Sequence, residues 1–342
     1  MDFLRTLKNE ELVSISADFN YLRATEDFVG LKLLPMARTE NLKVAIYDLT
    51  KGADVPVMAL VHAFDSEARI GDRPAYEEIK AELLLVKEKL NQGEELRKRI
   101  KDLGMSGAEA NVLKAIYDDI NHLISKVLVA FEKRACELLS TGKVVINENN
   151  ANVEVNYGFN TATNKIDFTG WDTASHDIVA DLIALRTASK NKIVRMIMSS
   201  KVMGYILANE KLNAIAEKAG VYVTQDWASN YINNIVGVEI IVDDRTYKLS
   251  HKDTTEYRFF PEDTVISLTT RGEVGKTFMT FTPIEDGGTV DGNYGFVAVS
   301  QWRTEDPVTS WTKAEGVGLP VIAGINNTLY LSTISDSESD SE

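Results

Sequence analysis

The sequence predicts an α+β protein of about two domains. Three observations carry this: one long helical period from Ser106 to Gly142, a stretch beyond Trp171 in which helix and strand patterns alternate, and a run from Pro261 onward that is nearly all strand. With 342 residues, 44% of them hydrophobic and only 7 Pro, the chain can bury a substantial core.

Residues 1–42 carry scattered apolar side chains (Phe3, Leu4, Leu12, Phe19, Phe28) without a long period, the pattern of an extended arm with a brief helix. Such an arm ordinarily needs a partner surface to order it. LKVAIYDL and VPVMALVHAF then flank a turn at Lys51-Gly52-Ala53-Asp54, which predicts a long hairpin over 43–73. Pro56 cannot donate a ladder hydrogen bond, so the second segment fits an edge or a projecting loop. From Pro74 the spacing of Ile79, Leu83, Val86 and Leu90 predicts a solvated helix with one apolar seam, interrupted at Gly93.

Ser106-Gly107-Ala108-Glu109 is a capping box, in which serine and glutamate each satisfy the other's backbone amide. Leu113, Ile116, Ile120, Leu123, Val127, Phe131, Ala135 and Leu138 then hold one face until Thr141-Gly142, where glycine can end the helix in the left-handed conformation. Roughly 34 residues at about 1.5 Å each make a rod of about 50 Å. KVVINENN and ANVEVNYGF follow as paired strands turning at Asn149-Asn150. After Trp171 come a helix in SHDIVADLIALRTASKN, a buried strand in VRMIMSS, a helix in KVMGYILANEKLNAIAEKAG, and strands in VGVEIIVDD and YKLSH. PEDTVISLTT, FMTFTP, YGFVAVSQW and LPVIAGINNTLYLSTI read as strands, with EDGGTVDGN as a turn-rich connection. SDSESDSE, residues 335–342, is an acidic serine-rich tail unsuited to burial.

Chemistry is sparse. The net charge of −14 argues against a protein that coats nucleic acid with its whole surface. No run approaches 18 consecutive apolar residues, and MDFLRTLKNEEL mixes acids with bases, so neither a membrane span nor a secretory signal is expected. The single cysteine, Cys136, lies in the helical EKRACELL and reads as a structural thiol. Gly275-Lys276-Thr277 resembles the end of a phosphate-binding loop, but the required earlier glycine is Thr270, and Phe278 to Pro283 reads as strand where a helix should begin. His62, His122, His176 and His251 lack metal-ligand spacing, and Asp118-Asp119 and Asp243-Asp244 read as solvated charge. LRKRIK lacks interleaved aromatics for stacking on bases. No catalytic, cofactor-binding or metal-ligating residue is assigned, and no enzyme is expected.

The order of arm, projecting hairpin, long helix, mixed unit and return strands resembles the major capsid protein of tailed bacteriophages, the lambda-type E family. FVGLKLLPMARTENLKVAIYDL is similar to that family's arm leading into its extended loop, and RACELLSTGKVVI to the end of its long helix. VRMIMSSKVMGYILANEKLNAI with NIVGVEIIVDDRTY resembles the core of its axial domain, and FFPEDTVISLTTRGEVGKTFMTFTPIE its return segment. The resemblance runs from about Phe28 to Ile334 and implies a Hong Kong 97 type of fold. It implies an N-terminal arm (1–42), an extended hairpin loop (43–73), a peripheral domain with a spine helix (74–170) and an axial domain (171–264). Return strands of the peripheral domain (265–312), a C-terminal axial strand (313–334) and the acidic tail (335–342) complete it.

The same resemblance implies a structural protein of the virion capsid, assembled in the host cytoplasm into pentamers and hexamers of an icosahedral head that encloses double-stranded DNA. A separate scaffolding protein, a portal and a decoration protein are the implied partners besides the chain itself. Lys51, Gly52, Ala53 and Asp54, at the hairpin tip, are the candidate contact between subunits. Two alternatives stand beside this: a nanocompartment shell of the same fold, and a nucleotide hydrolase using a degenerate Gly-Lys-Thr loop.

Overall fold

Helical and strand segments follow one another in an order that divides the chain between two units. The computed structural model describes residues 14, 18–39, 41–49, 76–92, 98, 109–148, 151–280, 296–305 and 308–335. In chain order the elements are α1 (Tyr21–Ala24), α2 (Val29–Leu33), β1 (Met36–Arg38), β2 (Lys43–Leu49), β3 (Tyr76–Glu82), β4 (Leu84–Gln92), α3 (Glu109–Thr141), β5 (Lys143–Glu148) and β6 (Ala151–Asn156). There follow α4 (Thr161–Asn164), β7 (Phe168–Thr169), α5 (Ile178–Ala188), β8 (Arg195–Met198), α6 (Ser200–Ala208), α7 (Glu210–Lys218), α8 (Gln225–Val236) and β9 (Glu239–Val242). The last are β10 (Thr246–Tyr247), β11 (Tyr257–Arg258), β12 (Thr264–Leu268), β13 (Lys276–Thr280), β14 (Ala298–Glu305), β15 (Val308–Val321), α9 (Ile325–Thr328) and β16 (Leu329–Ser335). One unit holds 1–44, 82–135 and 275–321; the other holds 45–81, 136–274 and 322–342.

The first unit is a helix on a sheet. The 14-residue strand β15 is its backbone, paired antiparallel with β14, with β13 and with β4, while β1 adds to β13 in parallel. Ile120, Leu123, Ile124, Val127, Leu128 and Phe131 of α3 are fully buried. Two glycines let this helix approach β15: a Cβ on Gly316 would lie 3.0 Å from Phe131 and 3.1 Å from Val127, and one on Gly318 would lie 3.2 Å from Phe131.

The second unit builds a five-stranded sheet in the order β7-β16-β12-β8-β9. One face packs on helices through Met196, Met198 and Val265 against Leu182, Leu185, Val202, Ile206, Ile232 and Val236. Trp171 closes this core, stacked on Phe168 at 4.8 Å with its Nε1 donating to Asp181 Oδ2 at 2.8 Å. Helix α3 ends as expected at Gly142, whose φ is +73, and β5 pairs with β6 from Lys143↔Asn156 to Glu148↔Ala151. The turn at Asn149-Asn150 lies outside the described residues, as does Ser106 of the capping box.

Several sequence expectations need correction. Residues 76–92 form strands, not the expected helix. Leu84, Val86, Glu88 and Leu90 alternate along β4 onto one face, Glu88 reaches Lys126 of α3 at 3.0 Å, and the ladder to β15 fixes this register. The strand expected at Lys43–Leu49 exists, but among the described residues its partner is Tyr76–Glu82, with Lys43 and Glu82 ion-paired at 2.7 Å. The segment 201–220 is two helices split at Asn209, whose extended backbone caps α7 and whose Nδ2 donates to Ala174 and His176 carbonyls.

The expected boundaries also shift. Within 265–312, β12 belongs to the second unit's sheet, between β8 and β16, and the return into the first unit begins at Gly275. Residues 313–321, assigned to a C-terminal strand with 322–334, are instead the end of β15. Residues 143–170 fall in the second unit, since the β5-β6 hairpin and α4 pack with that part of the chain.

Candidate functional site

The hairpin-tip residues Lys51, Gly52, Ala53 and Asp54 lie outside the described residues. What the described residues place on the page is how the arm, the Gly-Lys-Thr segment and the long helix are joined.

From Val29 onward the arm is bonded to the rest of its own chain. Glu132 of α3 is completely buried, and its two oxygens accept from the amides of Gly30 at 2.9 Å and Leu31 at 2.7 Å. These are orphan donors of the first turn of α2, which a carboxylate satisfies and favours through its charge. Leu31, Leu33 and Leu34 are buried beside it. The chain then runs along β13, with Thr277 N donating to Pro35 O at 2.9 Å, Thr277 Oγ1 to Leu34 O at 2.7 Å and Thr39 N to Met279 O at 2.8 Å.

That pairing accounts for Gly275-Lys276-Thr277. Lys276 opens β13, so no helix follows and no row of helical amides faces a phosphate. Thr277 is fully buried and spends its hydroxyl on the arm. Gly275 is required by packing: a Cβ there would lie 2.1 Å from the Val321 carbonyl oxygen and 2.7 Å from Leu34 Cδ2. The three residues form a junction between arm, β13 and β15.

Asp243-Asp244 differs from its expected role as solvated charge. Asp243 is buried and takes a two-pronged ion pair from Arg245, with Nη2 to Oδ2 at 2.6 Å and Nε to Oδ1 at 2.9 Å. Asp244 accepts from Ser200 N at 3.0 Å at the start of α6 and pairs with Arg258. Burial works against its charge, but the Ser200 amide and the Arg258 guanidinium together hold its carboxyl below the usual carboxylate range. The pair staples the β9 end to the N-terminus of α6, with every charge opposed by a neighbour. Spacing alone hid this, because the partners are Arg258, fourteen residues away, and the α6 amide.

At Asp118-Asp119, Asp118 is exposed, and burial raises the Asp119 carboxyl above its ordinary value. Cys136 is buried as expected of a structural thiol. His122 and His251 are exposed, His176 Nε2 lies 2.7 Å from Asp181 Oδ2, and His62 is outside the described residues. Among the described residues no group of three His, Cys, Asp or Glu is placed to hold a metal ion, and no helix is long and apolar enough to cross a membrane.

No protein-family model and no curated protein matches this sequence. Solved structures do. A protein assigned as the capsid protein of a prophage in E. coli CFT073 superposes with a TM-score of 0.65 at 13% identity, over 97% of this chain and 100% of that one. A phage-related protein from Bordetella bronchiseptica RB50 superposes at 0.53 and 13% identity, over 96% and 97%. The chain adopts the Hong Kong 97 type of capsid fold. The capsid of Myoviridae phage XM1 is a looser likeness, at 0.47 and 12% identity over 97% and 100%, and the fold assignment rests on the first two. At 13% identity the shared property is the path of the chain, maintained here by junctions such as Glu132 with the α2 amides and Gly316 beneath Phe131.

Proposed function

We propose that this chain is the major capsid protein of a tailed phage of the lambda-type E family, a structural protein without catalytic activity. The observation that carries the reading is the end-to-end correspondence of this chain with the prophage capsid protein, over 97% of this chain and 100% of that one. In this reading the first unit is the peripheral domain, with α3 as its spine, and the second unit is the axial domain. Copies join head to tail into pentamers and hexamers, since contacts between unlike surfaces close into rings. The hairpin tip, Lys51 to Asp54, lies across a neighbouring copy. A separate scaffolding protein, a portal and a decoration protein complete the head, which encloses double-stranded DNA in the virion and is assembled in the host cytoplasm. An excess of 51 acids over 37 bases suits a container that holds DNA without gripping it.

The test is sedimentation of the protein co-produced with its candidate scaffold. Particles far larger than a hexamer, which acquire DNA only when a packaging motor is supplied, are the expected result. Material that stays at the size of a monomer or small oligomer under every condition overturns the proposal, and particles filled with a single host enzyme would reassign the shell to a nanocompartment.

A further inference from the structure

One stretch of the second unit's surface is nearly free of charge. From Ala219 to Val238 the sequence AGVYVTQDWASNYINNIVGV holds a single charged residue, Asp226, where a chain that is 26% charged would place about five. Burial does not explain this, since Val221, Tyr222, Asn230, Asn234 and Ile235 are all exposed, Tyr222 at 92%. Helix stability does not explain it either. Three asparagines, Asn230, Asn233 and Asn234, lie within α8, where Lys, Glu or Gln would each favour the helix more. Asp226 alone has a local role, as an acid in the first turn of α8.

The exposed side chains are held in place. Gly220, at φ +68, closes α7, its amide donating to Glu217 O and the Val221 amide to Ala216 O, both at 3.0 Å. Two residues after Tyr222, Thr224 caps α8, its hydroxyl accepting from Trp227 N at 3.2 Å. Tyr222 therefore projects from a turn fixed at both ends. Along α8, Ala228, Ile232 and Val236 are buried in the core, and Trp227, Tyr231 and Ile235, also four residues apart, form the neighbouring stripe, with the first two rings stacked at 5.1 Å.

We infer that this segment is a contact between two copies of the chain, with the turn carrying Val221 and Tyr222 of one copy packed on the outer side of α8 of the next; the inference rests on the capsid reading and names surfaces by which copies join. Turn and helix are unlike surfaces, so the contact repeats from copy to copy and can close into a ring. Charge selects this occupant. Each copy carries a net −14, so copies repel unless the surfaces they share are neutral, and this face meets that requirement. A basic partner would be drawn by acidic side chains, and this face offers it Asp226 alone. Asparagine amides and the Tyr222 hydroxyl both donate and accept, so the face is complementary to itself in hydrogen bonding as well as in charge. Depletion of charge together with aromatic side chains is the composition of the core of an interface.

The experiment places a benzophenone photocrosslinking amino acid at position 222 of the full chain and mixes light-isotope and heavy-isotope preparations, alone and with the candidate scaffold. Irradiation followed by mass spectrometry is expected to join position 222 to residues 225–236 of a copy carrying the other label. Tyr222→Glu and Asn234→Glu, both at exposed positions and checked for folding by circular dichroism, should each raise the concentration needed for self-association by about tenfold or more, while Tyr222→Phe should not. Crosslinks confined within one copy, to the scaffold alone, or to another part of the neighbouring copy overturn the inference, as does self-association of both Glu variants at the parent's concentration. Any of these results with shells intact leaves the capsid reading standing, whereas a parent protein that stays monomeric at every concentration, with and without scaffold, removes both.

Discussion

Replacing Gly275 with alanine separates a packing role from a nucleotide-binding one. The added Cβ would lie 2.1 Å from the Val321 carbonyl oxygen and 3.0 Å from its carbon. A relaxed carbon to oxygen contact is about 3.3 Å, so roughly 1 Å of displacement is needed. Leu34 Cδ2, at 2.7 Å, can rotate away; the Val321 carbonyl cannot, because Val321 pairs with Lys276 at the start of the β13-β15 ladder. Overpacking costs about 1–3 kcal/mol, and a backbone clash belongs at the upper end. A loss of about 3 kcal/mol corresponds to a fall in melting temperature of roughly 6–12 °C for a unit of this size. Thermal unfolding by circular dichroism, with and without ATP, reads it out. Lys276→Ala is the control, expected to change stability by less than about 1 kcal/mol and to alter no response to ATP. A Gly275→Ala protein as stable as the parent would refute the packing argument. A melting temperature that rises with ATP in the parent and not in Lys276→Ala would restore the phosphate-binding reading.

Other predictions follow from the same contacts. Glu132→Ala leaves the buried Gly30 and Leu31 amides without their carboxylate, at about 1–3 kcal/mol each, so chemical denaturation should show a loss of about 2–6 kcal/mol and hydrogen exchange should quicken at both residues. Unchanged exchange there would mean that the arm is held by its apolar side chains alone. Because the folded-state pKa of Asp244 is depressed, its contribution to stability is present above the unfolded value near 3.9 and is lost as pH falls through the folded value. Asp244→Asn should therefore flatten the acid limb of a stability-against-pH curve, and an unaltered limb would contradict the role given to Ser200 N and Arg258. Deleting Lys51 to Asp54 should leave the circular dichroism and melting of the subunit unchanged while preventing shell assembly; normal shells from that variant would remove the hairpin tip from the interface.

Long-period elements were legible in the sequence because one pattern dominates each. The face running from Ile120 to Leu138 specifies α3, and Asp177 and Ser199 cap α5 and α6 where the sequence pattern begins. Competing patterns produced the errors. Ile79, Leu83, Val86 and Leu90 fit a helical period, while Leu84, Val86 and Leu90 fit a strand, and only pairing with β15 decides between them. The extent of the 14-residue β15 was not legible because Gly316 and Gly318 lower strand propensity within it, yet those glycines are what brings α3 onto the sheet. Helix α8 was missed although its signals were present, with Thr224 accepting from Trp227 N at its start and Gly237 in the left-handed conformation at its end. The joints of the candidate site were not legible, because Glu132 meets Gly30 across 102 residues and Thr277 meets Leu34 across 243. No local period records such distant partners.

The most direct test of the central claim is negative-stain electron microscopy of the purified protein, alone and with its candidate scaffold. The capsid account predicts closed icosahedral shells, or rings of five and six copies. A uniform field of monomers or small oligomers under both conditions would contradict it.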